Sequence, residues 1–388
     1  VNSQGTKLTD AELALTHITG KWPQARRVMK HEIDDLSKHH YVFDLAFLTR
    51  SLTGVVTNHA LYEYIHKISR DKLEKGWKDL SKIVNYLHSI LPSKAFIHST
   101  NDLNTTNVLI PLVVYLSQND NKFSSENSIN HAIHWLYAAH IWARYTSQTD
   151  QRLEEDISIV TKEDNPWNYL CAKIIDQRGR IEVKGSDLEG RWIQHPLYRM
   201  TYIVAKAKGG VDWFNGVPLG TVKGKSYSIQ YHHIFPVSKL YSTGYDPENI
   251  LDRSIVNEIA NRAFLTAETN NEISNRLPED YLPEVEQNFP GALTRQFIPM
   301  DPQLWKLEKY ADFLEARRNL IALKINELMK SLIQEPVIVH EKSASDLIRL
   351  GESATLEFKS TFQWDVVSNH ENKGLRKQVL KTLAAFLN

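Results

Sequence analysis

The sequence predicts an α+β protein, mostly helical, with one small strand–strand–helix module past its middle. Three observations carry that expectation. Long stretches place apolar residues in steps of three and four, the period of a helix with one buried face. Two short runs, Tyr227 to Tyr231 and Ala263 to Leu265, read instead as strands, and Pro236 stops the first because proline has no N–H to give a ladder. The chain has 388 residues, 42% hydrophobic and 24% charged, an ordinary globular balance with ample apolar content for a core. That length suggests about two to three domains.

In chain order, Asn2 and Gly5 mark a turn. Thr9-Asp10-Ala11-Glu12 then has the spacing of a capping box, opening a helix through about Ile18. Gly20 is expected to close it and Pro23 to start the next. Residues 31–180 read as all-helical. Leu73, Trp77, Leu80, Val84, Leu87 and Leu91 mark one helix face, and Ile129, Ile133, Leu136, His140 and Ile141 another. The polar stretch Ser117 to Ser125 separates such segments. Trp135, Trp142 and Tyr145 read as core rather than as a base-stacking platform. His131 and His134 could share a metal but lack a third ligand nearby. Val237 to Asn257 reads as a long loop with turns at Gly244 and Pro247. Residues 302–333 read as one amphipathic helix whose stripe Leu304, Leu307, Tyr310, Leu314, Arg317, Ile321, Ile325, Leu328 and Leu332 is interrupted by Arg317. That helix is expected to pack behind the module. A homo-oligomer seam along it is the alternative, although its heptad is not sustained. Gln334 to Lys342, with Pro336, reads as a linker.

The chemistry concentrates between Tyr227 and Tyr281. His232 and His233 stand together before Pro236; Asn261 precedes the second strand; Asn270 lies in a helix expected over Thr266 to Arg276. Histidine can take a proton from water near neutral pH. A hard cation held by few protein ligands keeps positions open for phosphate oxygens. Successive strand residues face opposite ways, but a strand end or bulge can give neighbouring histidines different tasks. His233 would activate water, His232 and Asn270 would hold a divalent metal, and Asn261 would tie the strands through its amide. Adjacent histidines alone carry little weight: His39-His40 has no such surroundings.

These residues resemble the HNH, or His-Me finger, nucleases, and specifically the nuclease half of GmrSD-type restriction proteins. The matching pieces are His-His-Ile-Phe-Pro (232–236), Asn-Arg-Ala-Phe-Leu-Thr (261–266), Thr-Asn-Asn-Glu-Ile-Ser (269–274) and Pro-Glu-Asp-Tyr-Leu (278–282). The resemblance implies a ββα-metal fold, His233 as general base, and one catalytic metal, usually magnesium, on His232 and Asn270. Many relatives have Asp where this chain has His232, and imidazole suits transition metals better, so manganese or nickel also enters. Residues 1–30 resemble the end of a ParB-like N-terminal domain without its Asp-Gly-Gln-Gln-Arg signature, so no nucleotide-binding residue is carried over. Residues 31–200 resemble the spacer helices, and 201–333 form the nuclease domain. Residues 340–388 resemble the start of a Schlafen AlbA-type domain, where Glu352, Glu357 and Lys359 match acidic and basic positions that could form a second site.

The formal net charge is zero, so any field for DNA must be local. Between Arg199 and Lys239 the basic residues are Arg199, Lys206, Lys208, Lys223, Lys225 and Lys239, and the only acidic one is Asp212. Lys223, Lys225 and Lys239 are therefore candidates for contacts to DNA phosphates. A lone cysteine, Cys171, rules out an internal disulfide framework and a cysteine-based zinc site, and fits a cytoplasmic location. No run approaches the ~20 apolar residues of a membrane span. The first residue is Val and the last stretch reads as an uncapped helix, so both ends are expected to be cuts through a longer protein. The functional expectation is a metal-dependent DNA endonuclease of a modification-dependent restriction, phage-defence protein. The alternative is a non-cleaving nucleic-acid-binding regulator with a structural finger.

Overall fold

A computed structural model describes residues 8–221 and 229–333 and, beyond them, the backbone of two short strands. The chain divides into two units, Val1–Ile333 and Gln334–Asn388, parting at the linker read from the sequence. The expected boundaries near 30 and 200 both fall inside the first unit.

Among the described residues the first unit opens with nine α-helices: α1 (Asp10–Lys21), α2 (Ala25–Ser37), α3 (Leu45–Thr57), α4 (Arg70–Ala95), α5 (Ile110–Ser117), α6 (Glu126–Ile141), α7 (Thr149–Lys162), α8 (Trp167–Arg178) and α9 (Pro196–Ala207). Thr9 and Glu12 form the expected capping box, but α1 runs on through Gly20 to Lys21. Every residue of the stripe Leu73 to Leu91 is buried in α4, as the periodicity required. Trp135 and Tyr145 are buried too. No helix among the described residues is long and apolar enough to cross a membrane.

After α9 come strand β1 (Ile229–His233), the short helices α10 (Val237–Tyr241) and α11 (Ile250–Val256), strand β2 (Arg262–Thr266), and helices α12 (Ala267–Ile273), α13 (Pro278–Asn288), α14 (Ala292–Arg295) and α15 (Tyr310–Ile333). β1 and β2 pair antiparallel, with His232 opposite Ala263 and His233 opposite Arg262. Several expectations change here. The first strand runs two residues past Tyr231 and ends on the two histidines, as the sequence allowed. The stretch between the strands is not an open loop, since it contains α10 and α11. The last helix starts at Tyr310, after tight turns over 302–305 and 307–309.

The strand period of two explains the packing. Ala263 and Leu265 belong to one hydrophobic core, together with Trp213, Ile234, Phe235, Tyr281 and Phe313. Phe264, between them, belongs to the core of the helical assembly. Its ring lies 5.2 Å from Tyr198 and 4.7 Å from Tyr202 of α9. The hairpin therefore lies between two cores. α15 joins them: Phe313 and Leu314 enter the hairpin's core, and Ile321, Ile325 and Met329 the helical one. Arg317, expected only as an interruption of the apolar stripe, is fully buried between these groups. It donates to the Ala260 carbonyl (2.9 Å) and the Gln296 carbonyl (3.0 Å). Its charge thus clamps α15 to the start of β2.

In the second unit the described pair is β3 (Trp364–Asp365) with β4 (His370–Glu371), antiparallel. Glu352, Glu357 and Lys359 lie outside the described residues.

Candidate functional site

Thr266 ends β2 and caps α12, its side chain accepting from the Thr269 N–H. Asp212 fixes that corner: buried, it accepts from the Thr266 N–H (2.7 Å) and from the Thr269 hydroxyl. The consequence is positional. One residue beyond Thr269, Asn270 is carried to His232, with its Oδ1 2.9 Å from the imidazole Nδ1.

The other ring nitrogen of His232 faces the Tyr281 oxygen at 3.4 Å. The Tyr281 hydroxyl donates to the Ile234 carbonyl (3.0 Å). The short contact is the hydrogen bond: Nδ1–H of His232 donates to the Asn270 carbonyl oxygen, and Nε2 carries the lone pair. A cation entering there would displace that proton and meet both atoms, Nδ1 and Oδ1. Burial pushes the His232 imidazole down to about 4, so it is neutral, the form that binds metals. Only one histidine and one amide converge in this way, and no group of three or more His, Cys, Asp or Glu able to hold a metal occurs among the described residues. Such a sparse donor set fits a cation that keeps most of its positions for water and phosphate oxygens.

His233 has different partners. Its Nε2 lies 3.1 Å from Asn257 Oδ1 and its Nδ1 3.2 Å from an Arg262 guanidinium nitrogen. Guanidinium only donates, so Nδ1 is the acceptor and Nε2–H donates to Asn257. The Asn257 amide is itself oriented by its Nδ2, which donates to the Arg253 carbonyl at 3.0 Å. Burial, then the Arg262 charge, push His233 down to about 3, which leaves it in the base form.

Both histidines open on one cleft of about 640 Å³, lined also by Pro236, Ser238, Tyr241, Asn270, Asn271 and Ser274. They share it despite facing opposite ways because they end the strand, as the sequence allowed.

Asn261 is wholly buried. Its Oδ1 accepts from the Phe235 N–H (2.8 Å), and its Nδ2 donates to the carbonyls of Phe235 (3.1 Å) and Val256 (3.0 Å). It ties the chain after β1 to the chain before β2, and it does not line the cleft.

Of the expected DNA contacts, Lys239 is exposed on α10 beside the cleft residues Ser238 and Tyr241. Lys223 and Lys225 lie outside the described residues. Lys206 is not available to DNA: it is buried and paired with Asp102 at 2.7 Å. His131 and His134 form no metal cluster, and His134 instead approaches Cys171 at 3.6 Å.

The sequence reading assigned no role to Asn257, Arg262 or Tyr281. Arg262 and Tyr281 stood inside the quoted motifs, and a charged residue opening the apolar run Ala263 to Leu265 was a usable signal. Asn257 had none, because its role depends on how α11 ends. Comparison of the chain with protein-family models and with curated proteins finds no match.

Proposed function

We propose that the hairpin and α12 form a metal-dependent phosphodiesterase site of the ββα-metal, His-Me finger class. More particularly, the protein is a DNA endonuclease of the GmrSD-like, modification-dependent restriction type, acting in phage defence. The observation that carries this reading is the meeting of His232 Nδ1 and Asn270 Oδ1 at 2.9 Å, in an open cleft that His233 also lines.

His232 and Asn270 would hold the divalent cation, magnesium or, given the imidazole, manganese or nickel. A cation held there would supply Lewis acidity toward a phosphate oxygen and toward the leaving oxygen. The chain's own groups do the rest. His233 takes a proton from water as the new oxygen–phosphorus bond forms, the phosphorus bond to the sugar oxygen breaks, and solvent protonates the departing oxygen. Asn257 fixes the tautomer whose Nδ1 lone pair receives the proton. Asn261 holds the finger's entry and exit together. Lys239 would neutralise DNA phosphates beside the cleft, and Lys223 and Lys225, outside the described residues, remain candidates for the same task.

Nicking of supercoiled plasmid tests the reading. With magnesium, manganese or nickel the wild-type chain nicks, chelator stops it, and His233→Ala lowers the rate about 100- to 10,000-fold, the span of general-base catalysis. Full activity in His233→Ala removes the base, and nicking that ignores chelator removes the metal. The second reading, a nucleic-acid-binding regulator that does not cut, is favoured by one feature: both ring nitrogens of His233 are already occupied. Binding without nicking under every metal would select it.

A further inference from the structure

A neutral imidazole has one lone pair, and on His233 that lone pair is taken by Arg262. A base so engaged cannot accept a proton from water. Arg262 is half-buried, no carboxylate pairs with it among the described residues, and its Nε has no hydrogen-bond partner. The wholly buried Arg317 shares that state, but of the two only Arg262 is bonded to a residue that lines the cleft. Its remaining bonds go to neutral oxygens, the Tyr231 carbonyl (2.8 Å) and Asn257 Oδ1 (3.0 Å). Arg144 shows the alternative in this same chain: equally cationic and more deeply buried, it meets the Asp156 carboxylate with two nitrogens. A desolvated charge without a counter-ion is costly, and an arriving anion relieves that cost.

We propose that Arg262 is the phosphate clamp of this site, and that its passage from His233 to a DNA phosphate uncovers the base. The inference rests on the nuclease reading above. A guanidinium–phosphate contact joins two full charges and can be bidentate, which a single bond to a neutral imidazole is not. Arg262 does not line the cleft itself, but a DNA phosphate that reaches it past His233 would compete with the imidazole for the guanidinium. The Tyr231 carbonyl keeps the guanidinium near its place, and Asn257 keeps Nε2–H, so the freed Nδ1 lone pair stays oriented. Arg262 acts on the chemistry through His233 and on affinity through phosphate. Without DNA the base is covered, which limits hydrolysis to bound substrate.

The test uses the full chain with a short DNA duplex for binding and supercoiled plasmid with manganese for nicking. Arg262→Gln and Arg262→Lys are compared with wild type after thermal melts establish that each is folded. Arg262→Gln should raise KM about tenfold or more, the scale of one lost charge-assisted bond, with a much smaller change in kcat. The log–log salt slope of duplex binding should fall by about one in Arg262→Gln and be restored in Arg262→Lys. In the wild-type protein without metal, saturating duplex should shift the Nδ1 nitrogen resonance of His233 and leave Nε2 protonated. Wild-type KM and an unchanged salt slope in Arg262→Gln overturn the clamp while the nuclease reading stands. An unmoved Nδ1 resonance overturns the uncovering step. If the wild-type chain nicks nothing with any metal but Arg262→Gln still loses its unit of slope, the nuclease reading fails and the phosphate clamp stands.

Discussion

The helical assembly and the hairpin module bury polar groups in opposite ways. In the helices, charge is closed on itself. Arg144 meets Asp156 through two nitrogens, Tyr145 also donates to Asp156, and Gln177 accepts from Arg144 at 3.0 Å. Lys206 closes on Asp102 at 2.7 Å. In the hairpin module Arg276 still pairs with Glu284, but two desolvated arginines find neutral atoms: Arg317 meets two carbonyls, and Arg262 a carbonyl, an amide and an imidazole. His232 donates through Nδ1–H to the neutral Asn270 oxygen. A paired charge is closed to ligands, whereas a cation left on neutral atoms next to a cleft, as Arg262 is, can still take an anion.

The contrast can be broken most forcefully at Asp156. Asp156→Ala strands the buried Arg144 charge and should cost about 3–5 kcal/mol of stability in a urea melt. Arg262→Gln should cost clearly less in the same melt, because no counter-ion is left behind. Equal losses would erase the distinction between the two arginines.

Asn261→Ala comes next. It leaves the Phe235 N–H and carbonyl unpaired in a buried position, for a loss of about 1–3 kcal/mol. Asn261 does not touch the cleft, so nicking should fall only as far as folding does. A folded Asn261→Ala protein with no activity would instead give Asn261 a direct part in the chemistry.

Acid should act on both regions, and more gently. Burial holds His134 and His195 of the helices and His232 of the hairpin down at about 4, and His140 and His233 at about 3. Below the ordinary histidine range the unfolded chain takes up protons that the folded chain refuses. Stability is therefore full above about pH 6.5 and falls as pH drops toward 4, by up to about 1.4 kcal/mol per pH unit for each histidine. Melting curves between those pH values check this, and removing one ring by His140→Gln should flatten the slope.

Much of the architecture was legible in the sequence because it rests on periodicity. The α4 stripe, the Thr9–Glu12 box and the break near Gln334 follow from local pattern alone. The meeting of His232 with Asn270 was also legible, since strand, turn and helix fix where residue 270 arrives relative to residue 232. What was hidden depends on contacts distant in sequence. Arg317 looked like a fault in an apolar stripe, because its two carbonyl partners, Ala260 and Gln296, come from other segments. Lys206 looked like surface charge because Asp102 is a hundred and four residues away. Asn257 was read as loop, since nothing local predicts that its amide oxygen will receive both Arg262 and His233.

The account depends most on a cation between His232 and Asn270, and calorimetric titration of manganese into the full chain addresses it without requiring turnover. One cation per chain should bind, and either Asn270→Ala or His232→Ala should weaken it by at least about tenfold, the loss seen even for residues supporting a ligand. Binding that both substitutions leave unchanged would place the metal elsewhere and contradict the site described here.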